Sequence, residues 1–161
     1  GTRAVMFIDP YGMQLKWETL EAVARTEAVD VWYLVTLQGL YRQATRKRSD
    51  ITPKKRDALN RMLGSDGWEK AWYTPKSAGS LFEFLGEEPE LSEARVADVD
   101  DMESYVRERL ETIFPYVSKK PLRLNTKGGA PGFALFFACS NPKPQAFGLA
   151  ARIADHILNG R

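Results

Sequence analysis

The chain has 161 residues, 43% of them apolar and 27% charged, a composition that fits one globular domain and excludes wholesale disorder or a fibre. No apolar stretch reaches the ~18 residues of a membrane span. One cysteine, Cys139, excludes an internal disulfide, and together with the one histidine, His156, it is too small a set for a Cys/His zinc site. A reducing cytoplasm is the expected setting.

The net charge of +2 hides an asymmetry. Arg42 to Arg61 carries eight Lys/Arg against Asp50 and Asp57, whereas Glu83 to Glu111 carries eleven Asp/Glu against Arg95, Arg107 and Arg109. A basic patch attracts phosphate backbones and an acidic stretch is repelled by them. The plainer alternative is two solvated helical faces of opposite sign.

In chain order, Ala4-Val5-Met6-Phe7-Ile8 is apolar at every position, as suits a strand covered on both faces in a parallel sheet. Asp9-Pro10-Tyr11-Gly12 follows at its carboxyl end, where open α/β sheets place their ligands. Trp17 to Thr26 reads as a helix, with Trp17, Leu20, Val23 and Ala24 on one side. Asp30 to Val35 reads as a second buried strand, completing a βαβ unit. A site strand normally has partners ahead of it, so the expectation is the C-terminal part of a larger protein.

Leu37 to Lys47 is expected to be helical, with Arg42 and Arg46 on one face at i,i+4. Thr52-Pro53 has the form of a helix start, and Gly64 of its stop. Residues 64–91 read as irregular, anchored by Trp68, Trp72, Tyr73, Phe82 and Phe84. A helix begins at Asp98, with acidic residues toward its N-terminus and a stripe of Val99, Met102, Val106, Leu110 and Ile113. Pro121–Asn125 and Phe133–Cys139 flank a glycine-rich connection and read as a hairpin, the second strand central. Ala146, Ala150, Ile153 and Ile157 mark a final helix stopped by Gly160. The scheme is one partial domain over 1–161: β-α-β at 1–36, a basic helical segment at 37–63, an aromatic-rich irregular segment at 64–97, and α-β-hairpin-α at 98–161.

An antiparallel hairpin closing a sheet of parallel strands resembles the end of the class I S-adenosylmethionine-dependent methyltransferase sheet. The fold class expected is therefore α/β: the C-terminal half of a methyltransferase-like, Rossmann-type mixed sheet. Residues 4–9 would be its fourth strand and 30–35 its fifth, with the hairpin supplying the last two.

Three blocks carry a further resemblance: Phe7-Ile8-Asp9-Pro10-Tyr11-Gly12 with Trp17-Glu18-Thr19-Leu20; Leu63-Gly64-Ser65-Asp66-Gly67-Trp68 with Tyr73; and Leu135 to Pro142 with Ile153 to Leu158. Together they resemble the three-Cys-motif partner proteins, often labelled TcmP, over nearly the whole chain. The resemblance implies a methyltransferase-type fold, working with a radical-SAM-like protein that carries a three-cysteine motif. It also implies S-adenosylmethionine in the full-length protein, bound by an upstream glycine-rich segment that is not among these residues. This fragment is accordingly not expected to bind the cofactor.

Asp9-Pro10-Tyr11 also resembles the Asp/Asn-Pro-Pro-aromatic motif of amino-methyltransferases, with one proline where that motif has two. The resemblance assigns Asp9 and the Pro10 carbonyl as acceptors for a target amine and Tyr11 as a stacking surface for a flipped base. The structural alternative is a capping turn, Asp9 accepting backbone N–H groups. Arg42, Arg46, Lys47 and Arg48 are the candidate phosphate contacts on DNA or RNA. Two functions remain open: a nucleic-acid-directed methyltransferase, or an inert partner module with a degenerate methyltransferase fold. The strand edge at residues 4–9 should be left open, and self-association through it is expected. His156 reads as a partly buried structural histidine and Cys139 as an inert buried thiol.

Overall fold

In the computed structural model the described residues are 2–74, 91–129 and 131–158. Strand β1 (Ala4–Ile8) lies parallel to β2 (Val29–Thr36), in register from Ala4↔Val29 to Ile8↔Tyr33. Helix α1 (Trp17–Ala24) connects them and buries Trp17, Leu20 and Ala24. The βαβ unit and its parallel pairing are as the apolar pattern predicts.

After β2 come α2 (Leu37–Gln43), a single 3₁₀ turn at Arg48–Asp50, α3 (Pro53–Leu63), α4 (Trp68–Tyr73) and α5 (Val99–Glu111). Strands β3 (Tyr116–Val117), β4 (Leu122–Asn125) and β5 (Pro131–Cys139) follow, then α6 (Pro144–Leu158). The sheet has five strands. β5 runs antiparallel to β2, from Val31↔Ala138 to Thr36↔Phe133. On its other side it pairs antiparallel with β4 at one end and with β3 at the other. β5 is thus the central strand expected of a run that is apolar throughout, and the predicted hairpin with β4 is present. The short strand β3 carries no signal a sequence reading could use.

The two faces of the sheet are covered unequally. Val31, Tyr33 and Val35 of β2 and Ala134, Phe136 and Ala138 of β5 form one core with α1 to α5. The opposite face carries a smaller cluster, Phe137 and Cys139 against Ala154 and Leu158 of α6. Trp32 tilts against Phe137 there, ring centroids 5.0 Å apart.

Local chemistry sets the helix ends. Thr52 Oγ1 accepts from Lys55 N–H at the start of α3, with Pro53 at its first position, and Gly64 ends it in the left-handed conformation, φ +63°. α5 has a reciprocal capping box: Asp98 Oδ1 accepts from Asp101 N–H and Asp101 Oδ2 from Asp98 N–H.

Several expectations are corrected. The helix expected over Leu37–Lys47 stops at Gln43, because Arg95 reaches across and donates to the carbonyls of Tyr41 and Ala44. The chain beyond bends at Arg46 and meets residues 93–95 at the single bridge Lys47↔Ala94, so Arg42 and Arg46 share no helical face. Residues 68–73, read as irregular, form α4, which buries Trp68, Trp72 and Tyr73; Phe82 and Phe84 lie outside the described residues. The expected final helix is present as α6, but among its described side chains Ala154 and Leu158 are the buried ones, and Ile153 and Ile157 are 53% and 48% exposed; Gly160 lies outside the described residues. His156 is exposed rather than partly buried.

β1 is at the sheet edge and solvent-accessible. Val5, Met6 and Phe7 are 68%, 41% and 60% exposed, so the run is not covered on both faces. Val5 and Phe7 lie on the face covered by α6, while Met6 and Ile8 point to the larger core, because side chains alternate along a strand.

Candidate functional site

Asp9, Pro10 and Tyr11 begin the connection from β1 to α1, at the carboxyl ends of the two parallel strands. The β4–β5 turn, with Lys127 and Gly129 (φ +80°), lies at the same end of the sheet, because β5 starts beside Thr36 where β2 finishes. Tyr11 is 88% exposed, the most open of the large hydrophobic side chains among the described residues. Gly12 follows with φ +59°, which turns the chain away from the strand.

Asp9 is exposed and makes no hydrogen bond or ion pair among the described residues. The capping-turn alternative therefore has no support: α1 begins only at Trp17, behind Lys16, whose side chain makes no capping bond. The β2–α2 junction is closed instead. Thr36 Oγ1 accepts from Gly39 N–H at 3.0 Å, and this buried pair seals the start of α2.

The basic segment divides in two. Glu69 on α4 takes both Arg48, at 3.8 Å, and Arg56 of α3 in ion pairs. Arg48 is half-buried and is already engaged within the fold. Arg42, Arg46, Lys47 and Lys54 are exposed and make no ion pair or side-chain hydrogen bond among the described residues, though Lys47 acts electrostatically on Glu93. Of the four residues predicted to contact phosphates, three are free to do so.

Two residues that sequence reasoning missed sit among them. Tyr41, 44% exposed, carries the Arg95 guanidinium over its ring at 3.6 Å from the centroid. Arg95 N–H also donates to Arg46 C=O at 2.8 Å. Arg95 stands in the acidic half of the sequence, and only the tertiary fold brings it here. Tyr41 was legible as the aromatic directly preceding Arg42.

Among the described residues no cluster of His, Cys, Asp and Glu fits a metal ion. Cys139 is buried, and burial pushes its thiol pKa up, with Asp30 adding to the effect. The connection from β1 to α1, residues 9–16, has one glycine, Gly12, and Gly128 and Gly129 stand in a hairpin turn.

The fold defines a mixed α/β protein with a five-stranded mixed sheet. No family model, curated protein or solved structure matches the chain. Among the described residues no helix is long and apolar enough to cross a membrane.

Proposed function

We propose that this chain is the target-holding, C-terminal portion of a methyltransferase-like protein that acts on nucleic acid together with a three-cysteine, radical-SAM-like partner. The observation that carries the reading is Asp9-Pro10-Tyr11: an unpartnered carboxylate and an open aromatic at the carboxyl end of a parallel edge strand. A neutral amine needs acceptors that turn its lone pair outward, and the Asp9 carboxylate and Pro10 carbonyl are of that type. Tyr11 offers a ring on which a base displaced from its stack can lie. Two parallel strands closed by an antiparallel hairpin support the same reading.

The exposed edge of β1 supports the incompleteness of this unit. A parallel pair is ordinarily buried on both faces. An apolar edge with neither proline nor lysine in the strand invites a further strand. S-adenosylmethionine would then be held by chain outside these residues. The inert partner module is the competing reading.

Calorimetry with S-adenosylmethionine, on the full-length gene product beside residues 1–161, tests the proposal. Binding by the full-length protein, none by the fragment, and loss of methyl transfer to nucleic acid in Asp9→Ala and Tyr11→Ala with cofactor binding kept are expected. A full-length protein that binds no cofactor overturns the methyltransferase reading.

A further inference from the structure

We infer that Tyr41 and Arg95 form a base-stacking platform and that the strand bound by Arg42, Arg46 and Lys47 is single-stranded. The inference rests on the nucleic-acid part of the proposed function and narrows its substrate class. It does not depend on methyl transfer.

Three observations carry it. The first is rigidity. Arg95 donates through Nη1 to the carbonyls of Tyr41 and Ala44, covers one side of the Tyr41 ring, and is fixed by its own N–H to Arg46 C=O. An exposed tyrosine on a free helix end would lose rotamer entropy on binding; here much of that ordering is already done by the fold.

The second is charge. Arg42, Arg46 and Lys47, close in sequence to Tyr41, are exposed and in no ion pair among the described residues, and Lys47 acts electrostatically on Glu93. Glu69 holds Arg48 and Arg56, and Glu93 accepts from the Ser49 backbone and hydroxyl. Asp50 and Glu93 are exposed acidic neighbours among the described residues. The third is shape. The cations do not lie along one helix face, because α2 ends at Gln43, the chain bends at Arg46 and Lys47 bridges to Ala94. A cationic turn around an aromatic ring suits a flexible backbone whose bases can splay onto the ring; a duplex hides those faces in its own stack. An acidic peptide would use the cations but has no need of the ring.

The test is fluorescence anisotropy of this chain with a labelled single-stranded oligo(dT), the matching dA·dT duplex, an abasic strand of equal length, and polyglutamate, each over a salt series. The single strand should bind more tightly than the duplex. Tyr41→Ala should weaken it about 5- to 100-fold with an unchanged salt slope, and Tyr41→Phe should retain it. Arg42→Gln and Lys47→Gln should each lower the log–log slope by ~0.7. The abasic strand should be insensitive to Tyr41→Ala. Circular dichroism on each variant separates lost binding from lost fold. Equal binding of strand and duplex with no effect of Tyr41→Ala overturns the platform and leaves the nucleic-acid reading standing. Binding of polyglutamate alone overturns both and makes the patch a protein-docking surface.

Discussion

Arg3 Nη2 donates to both carboxylate oxygens of Asp30, at 2.8 and 2.9 Å, and so ties the residue ahead of β1 to the strand beside it. Asp30 is 7% exposed, and the same Arg3 nitrogen lies 3.8 Å from Cys139 Sγ on β5. One side chain thus reaches two strands at the N-terminal end of the parallel pair, opposite Asp9 and Tyr11.

Replacing Arg3 alone should cost more than replacing the pair. Arg3→Met leaves a buried carboxylate without its partner and is expected to lower stability by about 1–3 kcal/mol. Asp30→Asn in the Arg3→Met background should recover part of that loss, since the uncompensated charge is gone. Urea unfolding of the two single variants and the double variant gives the coupling energy. Strict additivity would show that the bond contributes nothing.

Gly64 and Gly12 make a matched pair. Both have positive φ, +63° and +59°. A Cβ on Gly12 meets nothing within 4 Å, whereas one on Gly64 would stand 2.1 Å from Trp17 Cγ. Gly12→Ala should therefore show only the left-handed backbone penalty, about 1–2 kcal/mol. Gly64→Ala adds the displacement of a buried indole and should lose about 2–5 kcal/mol. Denaturant midpoints of the two variants decide it; equal losses would mean Trp17 moves aside freely.

Cys139 gives a pH signature. Its thiol pKa is raised by burial and by Asp30, so the folded state holds this proton more tightly than the unfolded chain does. Its contribution is complete below the unfolded value of about 8.5 and is lost as pH rises through the folded value. Stability should fall above about pH 8.5, and Cys139→Ala should remove that first part of the decline. Burial raises the Tyr33 hydroxyl pKa too, so Tyr33→Phe should affect only the part above about pH 10. Iodoacetamide should label Cys139 in urea and leave it untouched in the native protein.

The β1 edge predicts association. Val5 lines a groove with Ile153 and Ile157 of α6, and Phe7, two residues along β1, stands exposed on the same face of the strand. Sedimentation of this chain should show self-association rising with concentration. Val5→Lys with Phe7→Lys should abolish it and change stability by only about 0.5 kcal/mol per site, because both side chains are already open to water. A strictly monomeric native chain at high concentration would count against the edge as a contact surface.

The elements were largely legible in the sequence because they depend on local chemistry. Thr52-Pro53 and Gly64 bound α3 by satisfying or sparing the backbone groups at its ends. Asp98 and Asp101 start α5 in the same way. The apolar runs at residues 4–8, 30–35 and 133–139 identified three strands, and a glycine-rich connection identified the hairpin. The positions of Asp9 and Tyr11 at a strand end followed from the same pattern.

Tertiary structure alone decided the rest, since it depends on which distant groups meet. α2 ends where it does because Arg95, more than fifty residues away, takes its last carbonyls. Glu69 withdraws Arg48 from a basic run that looks uniform in one dimension. Identical apolar letters also end in different places: Ala154 and Leu158 are buried while Ile153 and Ile157 stay at the surface. A hydrophobic pattern specifies a helix and its amphipathic period, but the sheet it packs on chooses the face.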